Sequence, residues 1–336
     1  MQTSFSNLVA IKYPIIMAPM FLVSNEAMIQ AAMQNGILGT FPTLNYRNEG
    51  ALAKLLDNLN HFKKSGCTGN YGVNLIVQQS NPLYENHLAI CVAKQVPVYI
   101  TSLGNPKKVI EQANSYGAKV FCDVTNVMHA QKAFDAGCHG FIAVGQGAGG
   151  HAGNFPLSIL IETLKQKFNL PVIAAGGIAT GTGICSTLCM GADAVSIGTR
   201  FIASNEATVS NAYKDAIVNA GMADVVLTER LSGTPCNIIN TTYAQKIGFK
   251  QNALERFLNK NATTKKYFKM LVQLQGLKKL EAAVKPGNYN NLWCAGQSVE
   301  LIINIKPVAQ IIETLLTETK MAQTLLQQKL IQNSLI

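Results

Sequence analysis

The chain has 336 residues, of which 48% are hydrophobic and 14% charged, a composition that indicates a globular protein with a large apolar core. The first residues lack the basic flank and long apolar run of a signal peptide, and no apolar run reaches the roughly 20 residues of a membrane-spanning helix. The eight cysteines include no CxxC pair, so we expect reduced thiols, no metal site and a cytoplasmic location.

Strand and helix patterns alternate from the N-terminus to about residue 200. Short apolar runs predict strands at 14–20, 37–40, 71–75, 96–100, 119–123, 139–144, 171–175 and 193–197. Helical patterns follow at 24–36, 49–62, 81–94, 105–115, 126–136, 156–167 and 180–190, and the segment after residue 199 counts as the eighth helix. This alternation predicts an α/β fold with a parallel sheet. Glycine turns after the last two strands, and no GxGxxG after the first, favour a TIM (β/α)8 barrel over an open Rossmann sheet.

The alternation stops after residue 227. Residues 229–291 are helix-leaning and basic, with eleven Lys or Arg against two Glu between Arg230 and Lys285. We therefore predict a helical cap or lid over 229–291, inserted into a barrel domain formed by 1–228 and 292–336. A solvated helical face explains the charge, although such a patch also attracts acidic carriers or nucleic acid. The amphipathic pattern at 307–330 predicts a helix that packs on the barrel or forms the seam of a homodimer.

Two glycine turns predict a phosphate site. In a parallel barrel the loops that follow the strands gather on one face, where ligands bind. Gly176-Gly177 follows the strand that ends at Ala175, and Gly198-Thr199 follows the next strand. Backbone N–H groups at such turns bind phosphate, because glycine lets an anion approach closely. Arg200 or a helix dipole adds positive charge.

His151 is the sharpest candidate for proton transfer. It alone among the five histidines lies in a loop of glycine and alanine, at residues 147–153, directly after a predicted strand. Few side chains pack around such a histidine, and its pKa near neutrality suits it to take a proton from a carbon acid. A loop histidine bonded to the backbone is the alternative.

Four motifs, in this order, resemble those of the nitronate monooxygenase family. They are PIIMAPM at 14–20, GAGGHAG at 147–153, PVIAAGGI at 171–178 with IGTRF at 197–201, and AGQSV at 295–299. The phosphate motifs alone are also similar to those of IMP dehydrogenase-like barrels, but the catalytic cysteine loop of those enzymes is missing here. The resemblance covers nearly the whole chain.

This resemblance implies an FMN enzyme that oxidises nitronates or nitroalkanes with O2 to a carbonyl compound and nitrite. His151 acts as the base that removes the proton α to the nitro group, or orients the nitronate. Gln297 also contacts the substrate, and no metal is involved. The residues expected to contact FMN are Ala18, Pro19, Met20 and Asn74 around the ring, Gly149 and Gly150 in the histidine loop, and Ala175, Gly176, Gly177, Gly198 and Thr199 at the phosphate.

Three residues depart from the family pattern. Ala152 replaces a larger or charged residue after the histidine, and Glu300 replaces a glycine after the late motif. Asp123 stands where some members carry a basic or amide residue near the flavin, and an acid there disfavours an anionic reduced flavin unless it points away. These departures bear more on the substrate than on FMN.

Two other flavoenzymes on the same scaffold remain as alternatives. A flavin-dependent enoyl-acyl carrier protein reductase uses NAD(P)H and an acidic carrier, which the basic cap suits. An NAD(P)H:quinone reductase is the other. A nucleic-acid-binding module is disfavoured, because the aromatic residues of the basic segment fall mostly at helical spacing.

Overall fold

Eight parallel strands close into a barrel in the computed structural model, which describes residues 1–78, 81–229, 235–250 and 292–332. The strands, in chain order, are β1 Ile15–Met17, β2 Leu38–Pro42, β3 Asn70–Ile76, β4 Val98–Ser102, β5 Lys119–Val124, β6 Gly140–Val144, β7 Gly150–His151, β8 Val172–Ala175, β9 Ala194–Ile197, β10 Val225–Thr228 and β11 Cys236–Ile239. The barrel is formed by β1 to β6, β8 and β9, and β9 closes it by pairing with β1. The prediction of a TIM barrel is confirmed.

Helices alternate with these strands. They are α1 Ser4–Leu8, α2 Glu26–Gln34, α3 Ala51–Lys63, α4 Tyr84–Ala93, α5 Lys107–Asn114, α6 Val127–Asp135, α7 Leu157–Lys167, α8 Gly181–Cys189, α9 Thr199–Ile202, α10 Asn211–Asn219, α11 Thr242–Ile247 and α12 Val308–Gln332. Strand β4 begins two residues later than predicted, because the N–H of Val96 closes the end of α4 by donating to Cys91 O. The N-cap of α2 is Asn25, whose side chain accepts from the N–H of Met28.

The interior of the barrel is filled by an apolar cluster that includes Ile16, Leu38 and Phe121. Helix α1 adds Phe5 to this cluster, with its ring centroid 5.1 Å from that of Phe121. Because Asn70, at the start of β3, donates to Val9 O just after α1, this helix fills the end at which the strands begin. The opposite end, where the strands finish, is thereby left to the loops.

A second, antiparallel sheet lies beside the histidine loop. Its strand order is β10-β11-β7, and Cys236 and Asn237 of β11 pair with His151 and Gly150. The sequence pattern missed β11, which falls inside the segment predicted as a helical cap. Residues 230–234 and 251–291, which carry most of the basic charge of that segment, lie outside the described residues. The cap and its boundaries therefore stay predictions.

Helix α12 packs on the barrel through the stripe that the sequence predicted. Val308, Ile311, Ile312 and Leu315 are buried, and Glu318 accepts from the first N–H of α8. Beyond these residues, the helix carries exposed apolar side chains, and a homodimer seam remains a prediction. Within the described ranges, no helix combines the length and the apolar character needed to cross a bilayer.

Candidate active site

A cavity of about 1280 Å³ opens where the barrel strands end. It exceeds the roughly 300–1,000 Å³ of an ordinary small-molecule site, so it has room for more than one ligand. Twelve of the residues predicted as site residues line it: Ala18, Pro19, Met20, Asn74, Gly149, Gly150, His151, Ala175, Gly176, Gly177, Gly198 and Thr199. Gln297 is the exception. Its side chain is exposed and lies outside the lining, whereas its neighbour Ser298 lies within it.

The loop after β1 forms one wall of the cavity and is held by two polar side chains. Ser24 Oγ accepts from the N–H of Met20 at 3.0 Å, and Asn45 Nδ2 donates to Met20 O at 3.2 Å. Asn45 also accepts from the N–H of Leu22, a residue with a positive φ of 58°. These bonds fix the Ala18–Met20 turn before any ligand binds.

The glycine pair after β8 brings two loops into backbone contact. A Cβ on Gly176 would lie 2.7 Å from the amide nitrogen of Ala148, and the N–H of Gly177 donates to Gly147 O at 3.1 Å. Both glycines have positive φ, so larger residues are disfavoured. Since the N–H of Gly177 is used inside the protein, Gly177 presents to the cavity an open Cα with space beside it, as nothing lies within 4 Å of an added Cβ.

The Gly198-Thr199 turn offers a hydroxyl to the cavity. Thr199 Oγ1 accepts from the N–H of Gly296 at 3.0 Å, so the hydroxyl proton is directed away from that bond. Arg200 does not contribute positive charge here, contrary to the expectation from sequence. Its guanidinium is buried outside the cavity lining and donates to both the backbone and the side-chain oxygen of Asn304 at 2.8 Å.

The histidine loop is fixed by the second sheet rather than left unpacked, which corrects the sequence interpretation. The buried amide of Asn237 donates to Gln146 O at 3.0 Å and to Ala148 O at 2.8 Å. At the end of the loop, a Cβ on Gly153 would lie 2.1 Å from Val144 O. The loop therefore has little freedom, and His151 is held in position by its backbone.

His151 presents its side chain to the cavity. The residue is exposed there, yet protein surrounds it on its other sides, and this desolvation lowers the pKa of His151 from its ordinary value. The imidazole is therefore neutral at neutral pH, the state that accepts a proton. No three His, Cys, Asp or Glu side chains among the described residues are grouped to bind a metal ion.

A row of polar side chains crosses the ends of β3, β4 and β5. Asn74 Nδ2 donates to Ser102 Oγ at 2.7 Å, and Ser102 Oγ donates to Asp123 Oδ2 at 2.5 Å. All three residues line the cavity, so Asp123 does not point away from it. Burial raises the pKa of Asp123 to about 6, and the hydrogen bond from Ser102 partly opposes this shift.

The late glycine motif locks against the histidine loop. A Cβ on Gly296 would lie 2.4 Å from Gly147 O, so the two loops touch through their backbones. Tyr213 stacks on Trp293 with centroids 5.4 Å apart, and its hydroxyl donates to Cys294 O at 2.6 Å. Glu300 is exposed and accepts from the N–H of Met222, so this departure from the family pattern serves a surface contact.

Several site residues were not found from the sequence. Ser102, Tyr213 and Asn237 have no local motif, and their partners lie far away along the chain. Ser298 lies in the motif at 295–299, but the sequence pointed to its neighbour Gln297 instead. The cavity also extends past the loops after β4 and β5 towards Lys107 and Lys132. Polar residues after neighbouring strands were the available signal for Ser102, which stands at the end of β4.

The comparisons with known proteins agree with this architecture. The sequence model of the nitronate monooxygenase family matches residues 2–318. A protein named probable nitronate monooxygenase from Staphylococcus aureus strain JH9 is 26% identical over 340 residues, covering 88% of this chain and 91% of the relative.

Relatives with other names are about equally similar. The (3aS,4S,5R,7aS)-5-hydroxy-7a-methyl-1-oxo-octahydro-1H-indene-4-carboxyl-CoA dehydrogenase of Rhodococcus jostii strain RHA1 is 25% identical over 255 residues, covering 75% of this chain and 69% of the relative. The structure of FabK from Thermotoga maritima superposes with a TM-score of 0.83 at 30% identity, covering 98% of this chain and 99% of FabK. These matches share one scaffold under different names.

Proposed function

We propose that this chain, which belongs to the nitronate monooxygenase family, binds FMN in the barrel-mouth cavity and oxidises nitronates or nitroalkanes with O2. The products are a carbonyl compound and nitrite. The chain is an oxidoreductase of that family, and the choice of cofactor and substrate is the proposal.

One observation carries this proposal: His151 lines the same cavity as the glycine turns after β8 and β9. The glycine turns suit the phosphate of a flavin nucleotide. His151 lies on the part of the cavity wall that the histidine loop, residues 147–153, forms. A base and a phosphate-binding end in one cavity favour a flavin enzyme that handles a carbon acid.

The residues present fit FMN. Gly150 and Gly177 both have positive φ, and an added Cβ would find nothing within 4 Å at either, so open space lies beside their backbones. Thr199 also lines the cavity, and its hydroxyl proton is not used in the bond from Gly296, so it is free to donate to a phosphate. The Ala18–Met20 turn provides a backbone wall for a flat ring. When bound, FMN supplies the redox chemistry that these side chains lack.

The role of this chain is to bind, orient and move a proton. His151 Nδ1 or Nε2 accepts the proton α to the nitro group, which burial favours by keeping the imidazole neutral. Asn237 holds the histidine loop through its bonds to Gln146 O and Ala148 O, and so fixes the position of that imidazole in the cavity. A nitronate, which has already lost this proton, needs His151 only for orientation.

The test is an anaerobic reduction experiment on purified protein loaded with FMN. NADH, NADPH and a nitronate are added separately, and the flavin absorbance is followed before air is admitted. We expect the nitronate alone to change the flavin spectrum, and nitrite to appear once O2 enters. Bleaching by NAD(P)H with no response to nitronate would favour a reductase, and a protein that takes up no FMN would exclude both.

A second function, reduction of an acyl thioester by NAD(P)H, is favoured by a different observation. The cavity reaches Lys107 and Lys132, and these cations suit a phosphate-bearing carrier or nucleotide. One relative is named for a carboxyl-CoA substrate, which is likewise an acyl group on a phosphate-bearing carrier. The same experiment separates the two functions, because only the reductase is bleached by NAD(P)H and reoxidised by an enoyl thioester without O2. A quinone in place of the thioester tests the NAD(P)H:quinone reductase alternative.

A further inference from the structure

Asn74, Ser102 and Asp123 form a row of hydrogen bonds at the cavity wall, and the donor and acceptor of each bond in it can be identified. Asn74 Nδ2 can only donate, so Ser102 Oγ accepts that bond with a lone pair. The single hydroxyl proton of Ser102 then points to Asp123 Oδ2, at 2.5 Å. Because Oδ2 always accepts from Ser102, any proton that Asp123 holds must be on Oδ1.

The Asp123 carboxylate has little to compensate its charge. No described residue donates to Oδ1, and none of the four ion pairs found among the described residues includes Asp123. Strand β6, its other neighbour in the barrel, places Ile142 beside it in the ladder. A half-buried carboxylate with one neutral donor and no cation among the described residues is poorly stabilised, in agreement with its pKa of about 6.

We propose that Asp123 takes up one proton from water when negative charge enters the cavity, and that it then donates a hydrogen bond through Oδ1. This inference rests on the proposed function, since the charge is that of the flavin as it accepts electrons or of a nitronate. The step forms one O–H bond at Oδ1, breaks one O–H bond of solvent water, whose hydroxide the buffer neutralises, and moves no electrons. It converts an unfavourable carboxylate into a donor that faces the anion.

Other titratable groups of the cavity are weaker candidates for this proton. The hydrogen bond with Cys138, together with burial, raises the pKa of Cys122, so Cys122 stays a thiol. His129 and Asp135 are exposed on α6, where water compensates a new charge. Within the part of the chain that the structure describes, His151 is the main competitor, because its neutral imidazole faces the same cavity.

The experiment measures the midpoint potential of bound FMN between about pH 6.5 and pH 9 by spectroelectrochemistry, with the electrode as reductant. Each proton taken up in a two-electron reduction changes the equilibrium constant tenfold per pH unit, or about 30 mV per pH unit. We expect Asp123→Asn to have a slope shallower than the wild type by about one proton. His151→Asn should keep the wild-type slope.

Ser102→Ala provides a variant that keeps the carboxyl group. It removes the donor to Oδ2, the only one among the described residues, so the steeper slope should extend to higher pH than in the wild type. A merely structural role for Ser102 would lower FMN affinity without moving this pH range. If Asp123→Asn fails to bind FMN, Ser102→Ala alone decides the question by this shift.

The outcomes separate the two proposals. Wild-type protein that binds no FMN would overturn the proposed function and this inference together. FMN-loaded protein with equal slopes in the wild type and Asp123→Asn would overturn only the inference. A slope lost in His151→Asn instead would assign the proton to His151.

Discussion

At the scale of single residues, His151 should separate two substrates that differ by one proton. We expect His151→Asn to lower kcat/KM for a neutral nitroalkane by roughly 10²–10⁴-fold, the usual contribution of a general base. The effect on the corresponding preformed nitronate should be far smaller, because its proton has already been removed. Nitrite release measured with both substrates checks this, and equal losses would assign His151 to orientation alone.

The pH profile provides a second readout of the same residue. Burial lowers the pKa of His151, so the neutral imidazole persists below the ordinary value of about 6.5. Activity that needs this neutral form is retained at neutral pH and is lost as pH falls through the lowered pKa. We expect the acid limb of kcat/KM for a nitroalkane to lie below about pH 6.5 and to disappear in His151→Asn.

Thr199 should distinguish FMN from riboflavin, which lacks the phosphate. Its hydroxyl accepts from the N–H of Gly296 and can donate to a phosphate, whereas riboflavin has no phosphate to accept. FMN should therefore raise the melting temperature more than riboflavin at equal concentration. Thr199→Val should shrink this difference, and Thr199→Ser, which keeps the hydroxyl, should preserve it. An unchanged difference in Thr199→Val would place the phosphate elsewhere.

Residues of this kind differ in how visible they are in sequence. Gly176 and Gly198 directly follow apolar strands, and His151 lies in the glycine-rich loop after another, so their place at the barrel mouth follows from the repeat alone. Arg200 was misassigned because it follows the same turn but faces Asn304, and only tertiary packing decides which way a side chain turns. The same holds for Gln297 and Ser298, which are adjacent, although only Ser298 lines the cavity and Gln297 is exposed outside it.

At the scale of elements, β11 stabilises the histidine loop through one side chain. Asn237→Ala removes the donor to two carbonyl oxygens, those of Gln146 and Ala148. Leaving a buried acceptor unsatisfied costs about 1–3 kcal/mol, so we expect a loss of this order in unfolding free energy. The FMN-loaded variant should also have a raised KM for the nitronate, since the loop carries His151.

Chemical denaturation and steady-state kinetics check the role of Asn237. Asn114→Ala, at an exposed position at the end of α5, is the matched control and should change neither quantity. A stable Asn237→Ala variant with unchanged kinetics would show that the loop is held by β7 pairing and glycine contacts alone. Strand β11 itself was missed because four residues in a segment with helical spacing give no clear periodicity.

At the scale of the whole molecule, the barrel was predictable from the sequence, whereas the backbone contacts between the loops at its mouth were not. Eight repeats of one supersecondary unit amplify a weak local signal, and the parallel topology follows from the alternation. The contacts among residues 147–149, 176–177 and 295–296 join parts of the chain that are far apart, so no local pattern encodes them.

The packing of α12 on α8 also depends on a close backbone contact at a glycine. It leads to predictions of opposite sign for two glycines of α8. A Cβ on Gly181 would lie 2.2 Å from the amide nitrogen of Thr319 and 2.4 Å from Leu315 O, so Gly181→Ala must push backbone away from backbone. We expect it to lower the unfolding free energy by about 1–3 kcal/mol. Gly183→Ala, in the same helix, meets nothing closer than 3.5 Å and should stabilise by up to about 1 kcal/mol. Thermal unfolding of both variants decides the matter, since equal and small shifts would mean that α12 is not clamped against α8.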